Sequence, residues 1–228
     1  MSVTLAELMA HSRSRADMEN SSFVDDTELI SYVNHSIGEL HDILIQTYGA
    51  DYSVKQVTFN LTNNVDSYPL STLITAGDFY KLYGLDAKIN NSDWTTLSPF
   101  NFNERNRFQH FNVSTYLGIT NFRYRLNGSN VIFAPIPDSA MQVRMWYIPV
   151  APRLVNLTDA LDDLNEYDEY IIVDVAIKML QKEESDVSVL LNQKAALKLR
   201  IEQAAQNRDA GKCDSISDIY AEDYRWWY

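Results

Sequence analysis

Phe122-Arg123-Tyr124-Arg125-Leu126-Asn127-Gly128-Ser129-Asn130-Val131-Ile132-Phe133 decides the fold of the 228-residue chain. Phe122, Tyr124 and Leu126 alternate with Arg123 and Arg125, the period of two expected of a strand with one buried face. Asn127-Gly128-Ser129-Asn130 is a turn cluster, and the apolar run Val131-Ile132-Phe133 follows it. Together they read as a β-hairpin. The same period recurs on both sides. Val57, Phe59 and Leu61 alternate with Thr58 and Asn60, and Val143, Met145 and Tyr147 alternate ahead of Pro149. Residues 54–150 therefore read as a small antiparallel sandwich or partly open barrel, interrupted by a short helical or irregular piece around Asn103 to Phe108.

The flanks change period. A short helix carries Leu5, Leu8 and Met9, with Thr4 placed to cap it. A longer one runs Leu29, Val33, Ile37, Leu40, Leu44 and Tyr48 at three- and four-residue steps, a single apolar stripe. Asp25, three residues before Glu28, sits in the capping role, and Gly49 stops the helix. After the β region, residues 157–210 read as a helical hairpin. Thr158 or Asn165 is placed to cap its first helix, whose better apolar line is Ile172, Ala176 and Leu180. Lys182-Glu183-Glu184-Ser185-Asp186 breaks it. Ser185 or Asp186 can cap the second helix, which turns Val189, Leu190, Leu197, Ile201 and Ala204-Ala205 inward. The expected class is α+β: a helical bundle body formed by the N- and C-terminal helices, an inserted antiparallel β sandwich or barrel-like lobe, and an extended C-terminal arm. The expected boundaries are 1–53 and 151–211 for the helical parts, 54–150 for the lobe and 212–228 for the arm.

Composition narrows the function. Lys and Arg number 19 against 31 Asp and Glu, a formal net charge of −12. No two basic residues are adjacent, and the nearest approach to a basic stripe is Arg105, Arg107, Arg123 and Arg125. A protein that grips a phosphate backbone must displace counterions with clustered cations, so such binding is not expected. An acidic wall past which DNA slides without sticking is compatible with the charge. The single Cys213 leaves no internal disulfide and no cysteine metal cluster. No apolar run has the length of a membrane span, and Met1-Ser2-Val3-Thr4-Leu5 lacks the pattern of a signal peptide, so folding in a cytosol is expected.

No constellation points to catalysis. Asp162-Asp163, Asp168-Glu169 and Glu183-Glu184 are adjacent pairs, which on a helix do not face a common point. His35 and His41 lie six residues apart on one helix, without the spacing of a helical zinc pair. His11 and His110 lie elsewhere in the chain. There is no phosphate loop, dinucleotide fingerprint or nucleophile elbow. The expectation is a protein that is not an enzyme and has neither cofactor nor metal.

Two features suggest association instead. The chain ends Asp223-Tyr224-Arg225-Trp226-Trp227-Tyr228. Large aromatics at a chain end have too little sequence around them to build a core, and Trp, Tyr and Arg are the residues of interface hot spots. Tyr220, Tyr224, Arg225, Trp226, Trp227 and Tyr228 thus read as an arm that docks on another protein; the alternative is a tail that plugs a groove on its own domain. Arg13, Arg15, Arg105 and Arg107 flank polar, acid-containing stretches. They read either as surface ion pairs or as clamps between subunits.

The chain resembles the head–tail adaptor, or connector, proteins of tailed bacteriophages, especially short-tailed ones. The resemblance is carried by Arg13-Ser14-Arg15-Ala16-Asp17 with Phe23 to Asn34, by Trp94 with Leu97-Ser98-Pro99-Phe100 and Glu104-Arg105-Asn106-Arg107, by Tyr124 to Gly128 through Phe133-Ala134-Pro135 and Tyr147-Ile148-Pro149, and by Lys182 to Asp186. It implies a structural protein of the virion neck, assembled in the host cytoplasm. It further implies a homo-oligomeric ring, twelvefold as a rule, below the portal protein. Such a ring extends the channel for passing genomic DNA, without sequence-specific binding, and carries the tail nozzle and fibre proteins. The C-terminal arm would reach the portal. A tail-associated module that recognises a receptor or another tail protein is the alternative, and it would present aromatics around Trp94 or Trp146.

Overall fold

The computed structural model describes residues 3–49, 52–75, 77–88, 93–108, 121–161 and 167–206. Within them the fold is α+β, with two hydrophobic cores, one helical and one between sheets. Strand β1 (Val3–Thr4) leads into helix α1 (Leu5–Arg15), followed by α2 (Asp26–Tyr48), β2 (Lys55–Leu61), β3 (Ser67–Pro69) and the single turn α3 (Leu70–Leu73). Then come β4 (Phe79–Lys88), β5 (Trp94–Thr96), β6 (Ser98–Pro99), a 3-10 turn (Phe102–Glu104), β7 (Arg123–Asn127), β8 (Asn130–Ala134) and β9 (Met141–Pro149). The chain closes with β10 (Ala160–Leu161), α4 (Asp168–Lys182) and α5 (Ser188–Gln206).

The helix starts follow from side-chain capping. Thr4 and Glu7 form a complete capping box at α1, and Asp25 accepts from the Glu28 amide at 2.7 Å. Each satisfies a backbone donor that the first turn leaves unpaired. Gly49 ends α2 with φ at +96°, a conformation glycine adopts without penalty. Asp186 accepts from the Ser188 amide at 3.0 Å and so caps α5.

The stripe of α2 is buried as spaced: Leu29, Val33, Ile37, Leu40 and Leu44 pack with Leu5, Leu8 and Met9 of α1 and with α4. Three details of the C-terminal helices depart from the sequence reading. First, the leading helix begins at Asp168, with no side-chain cap. Asp159 accepts from the Val155 and Asn156 amides, both at 2.8 Å, and holds the chain before it in a turn; Thr158 lies within that turned stretch and caps no helix, and Asn165 lies outside the described residues. Second, α4 has no single apolar line. Ile171, Ile172, Val173, Val175, Ala176 and Met179 are all buried, because α1, α2 and α5 surround the helix. Third, Val189 is 75% exposed and Ala204 is exposed too; α5 seats Leu190, Leu197 and Ile201 on the body and turns the rest outward.

The lobe is a sandwich. One sheet has the order β2-β9-β4-β5, the other β3-β8-β7-β6. All pairs are antiparallel except the two-residue contact of β6 with β7. The hairpin β7–β8 turns at Gly128, where φ is +58°. Tyr124, Val131 and Phe133 from one sheet meet Leu61, Leu85, Val143, Met145 and Tyr147 from the other. Phe122 and Phe133 stack with ring centres 5.3 Å apart.

Lobe and body are tied together at specific points. His41 of α2 meets Tyr80 of β4 edge-on at 5.9 Å, and Asp42 of α2 pushes the Tyr80 phenol above its ordinary pKa. Burial pushes the His41 imidazole below its ordinary pKa, against the opposing charge of Asp42. Asn34 clamps the return chain: its Nδ2 donates to the Leu154 carbonyl at 2.9 Å, and the Leu154 amide donates back to Oδ1 at 2.8 Å. The β1–β10 ladder pairs Val3 with Leu161 and sets the start of the N-terminal helices beside the chain that leads into α4.

Candidate docking surfaces

Three polar assemblies stand out, and each is built by elements far apart in sequence. The first is inside the body. Asp174 of α4 is almost fully buried, and it accepts from Ser36 Oγ at 2.5 Å, Lys178 Nζ at 2.6 Å and Lys194 Nζ at 2.6 Å. Glu39 of α2 binds the same two lysines. Burial alone would raise the Asp174 carboxyl; the hydrogen bonds from Lys178, Lys194 and Ser36 outweigh it and hold the pKa below the ordinary value. The group stitches α2, α4 and α5.

The second lies on the outer face of the first sheet. Asp86 of β4 accepts from Arg144 Nε at 2.6 Å and from Trp146 Nε1 at 2.8 Å. The Arg144 guanidinium lies 4.5 Å from the Trp94 ring centre and 5.3 Å from that of Trp146. The guanidinium thus lies within cation–π range of both indoles, a favourable arrangement. Burial would raise Asp86, but Arg144, Trp146 and Thr96 bring it below its usual value. Beside this cluster Val54, Tyr83, Gly84, Asp86, Thr96 and Trp146 line an open concavity of about 590 Å³.

The third is at the β6–β7 edge of the second sheet. Arg105 and Arg125 both lie over Phe102, at 4.8 and 5.7 Å. Arg107 and Arg123 both lie over Phe108, at 6.0 and 5.5 Å. Four arginines thus gather on two phenylalanine rings. Arg107 pairs with Glu104 at 3.4 Å, an exposed contact of little worth. Arg105 and Arg125 donate to the carbonyls of Phe102 and Phe100. Arg123 Nε is buried without a hydrogen-bond partner, a condition that costs about 1–3 kcal/mol.

The arginines singled out in the sequence fall into two groups. Arg13 is engaged within its own chain: it donates to the carbonyls of Ser21 and Val24 and pairs with Asp26 at 2.9 Å, closing the α1–α2 connection. Arg15 pairs with Glu169 of α4, which also accepts from Gln193 of α5. Arg105 and Arg107 belong to the exposed edge cluster. The arm residues Tyr220, Tyr224, Arg225, Trp226, Trp227 and Tyr228 lie outside the described residues, as does His110.

Trp94 and Trp146 are half-buried, and their faces are engaged with Arg144. Sequence spacing did not foretell the Asp86–Arg144–Trp146 cluster, although Arg144 and Trp146 share one face of β9. Among the described residues no group of three or more His, Cys, Asp and Glu side chains could hold a metal ion. No described helix is long and apolar enough to cross a membrane.

Ion pairs bind distant elements to one another, and the concavity beside Trp146 is open. A search of curated proteins finds no match to the chain. The family model of the SU10 adaptor protein matches residues 3–214, which takes in the helical body and the whole lobe. The chain therefore belongs to the SU10 adaptor protein family and is a phage adaptor.

Proposed function

We propose that this adaptor is a structural ring component of the virion neck, attached below the portal of a short-tailed phage. Copies stand side by side, twelve to a ring, and extend the channel through which the genome passes. The far side of the ring is the platform for the tail nozzle and fibre proteins. Attachment to the portal falls to the C-terminal arm, Tyr220 to Tyr228. The protein performs no catalysis and needs no cofactor.

The observation that carries this reading is the family match over residues 3–214. Charge supports the channel. At −12 a lumen wall repels duplex DNA at long range, and a stored genome must move past it without being held. The commitment of the two indoles to Arg144 weighs against the other reading, a module that recognises a receptor through exposed rings at Trp94 and Trp146. The test is electron microscopy of the full chain mixed with portal rings. A coaxial second ring is the expected result. A free trimer that ignores the portal would favour the receptor module.

A further inference from the structure

We infer that neighbouring copies meet edge to edge through the lobe, the Arg105–Arg107–Phe102 edge of one copy seated on the Val65–Asp66–Ile136–Asp138 edge of the next. This deepens the ring reading and rests on it. The second sheet has two edges, β6 on one side and β3 on the other. The four arginines gather at the β6–β7 edge around Phe102 and Phe108, and Phe102 is 47% exposed. Asp66 directly precedes β3, and its carbonyl accepts from the Phe133 amide. The Asn64 amide donates to the Pro137 carbonyl at 2.9 Å, which brings the turn holding Val65 and Asp66 against the one holding Ile136 and Asp138. Val65 and Ile136 are exposed, as are both aspartates. Each edge therefore presents apolar surface beside charge, and the charges are opposite.

Within one chain β3 and β6 are separated by three strand spacings, about 14 Å, so the two edge strands cannot pair with each other. Between copies such edges join head to tail, and a heterologous contact of that kind generates a ring when its rotation closes. The backbone favours the same solution. Pro69 in β3 and Pro99 in β6 remove donors from both edges, so neither is suited to extending the sheet into a neighbour. Side chains carry the contact instead. Arg105 and Arg125 have no carboxylate partner among the described residues. Planar carboxylates are the partners a guanidinium fork suits best.

The test compares full-length wild type with Arg105→Glu/Arg107→Glu, with Asp66→Arg/Asp138→Arg, and with the fourfold variant that exchanges charge on both edges. Assembly is followed by sedimentation and electron microscopy, alone and on portal rings. All four positions are exposed, and circular dichroism checks that each variant is folded. Each one-edge variant should assemble about tenfold or more less readily, and the fourfold variant should recover most of the loss. Added salt should weaken wild-type assembly as the Debye length shrinks. Variants that form rings as readily as wild type overturn the edge contact and leave the ring standing. So does a loss that the fourfold variant fails to restore. If the arginine variant assembles normally but no longer retains duplex DNA, the arginines face the channel contents and the edge contact is wrong. A wild-type chain that forms no ring under either condition overturns both readings.

Discussion

Lys194 of α5 sets its ammonium 2.6 Å from the Asp174 carboxylate of α4 and 2.9 Å from that of Glu39 on α2, so one cation joins three helices. Asp174 is the hub, since Lys178 and Ser36 bind it as well. Asp174→Asn removes the charge while keeping the shape, and leaves both lysines half-buried with only Glu39 to offset them. Breaking a buried pair in this way costs about 3–5 kcal/mol; partial exposure of the lysines places the expected loss near the lower figure, read from urea unfolding. The pH dependence follows from the sign. The folded pKa of Asp174 lies below its ordinary value, so its contribution is present above the unfolded carboxylate pKa and is lost as pH falls through the depressed one. Lys194 is raised: burial opposes the charge, and Asp174 and Glu39 more than compensate. Its contribution is complete below the unfolded lysine pKa and fades only at higher, strongly alkaline pH. The variant should therefore differ most from wild type at neutral pH and converge with it in strong acid.

The two C-terminal helices should differ in local stability. Helix α4 is buried on nearly every side, whereas α5 buries Ile201 fully and rests Leu190 and Leu197 partly on the body. Opening free energies follow such differences in burial. Hydrogen exchange should show α5 amides less protected than those of α4 by about tenfold or more. Ile201→Ala should widen the gap, at a cost of about 2–5 kcal/mol for a large core side chain cut to Ala.

The elements legible in the sequence were those with an undisturbed local signal. The β7–β8 hairpin alternates cleanly around Gly128, and α2 carries one stripe between Asp25 and Gly49. Strand β4 escaped the same reading. Its register against β9 shifts between Phe79 and Lys81 and again between Leu82 and Gly84. Each bulge flips the alternation, so Tyr80, Lys81 and Tyr83 read as noise beside Leu82 and Leu85. Helix α4 looked mixed for another reason. Asp174 lies inside, with Lys178 beside it, met by Ser36, Glu39 and Lys194 from helices that no spacing rule connects. Arg105, Arg107, Arg123 and Arg125 were visible as the nearest thing to a basic stripe. Their gathering on Phe102 and Phe108 goes with the β6–β7 contact, Ser98 with Arg123 and Pro99 with Tyr124, and a two-residue parallel pairing of stretches so far apart in sequence leaves no periodic trace.

Of the phenols whose pKa is raised, three are pushed up to about 12. Tyr32 is pushed up to about 12, chiefly by its hydrogen bond to Glu28. Tyr147 reaches about 12 through burial and its bond to Asp78, and Tyr167 reaches about 12 through burial and its 2.7 Å contact with Tyr48. Phenolate absorbance should rise first near the ordinary tyrosine value of about 10 and again near 12. The Tyr32→Phe, Tyr147→Phe and Tyr167→Phe variants should each remove part of the second rise. All three pKa values are raised, so the stability they report is whole below about pH 10 and declines as pH climbs toward 12.

The arm poses a question of number. Burying three aromatic side chains at about 200 Å² each gives a gross gain of about 15 kcal/mol at about 25 cal/mol per Å². Ordering Tyr220 to Tyr228, nine residues, costs about 1–2 kcal/mol apiece, which consumes most of that gain. On the proposed docking, a single arm would hold a portal weakly. Arms fixed on the proposed ring would bind as a unit, because each attachment raises the effective concentration of the next. A synthetic Tyr220–Tyr228 peptide should therefore fail to displace assembled rings even in large excess, yet slow the capture of free monomers. Deleting Tyr224 to Tyr228 should leave the melting temperature of the monomer unchanged and abolish cosedimentation with portal rings. Trp226→Ala with Trp227→Ala should do nearly the same. A truncated chain that still cosediments at wild-type stoichiometry would show that the lobe or the helical body, rather than the aromatic end, makes the attachment.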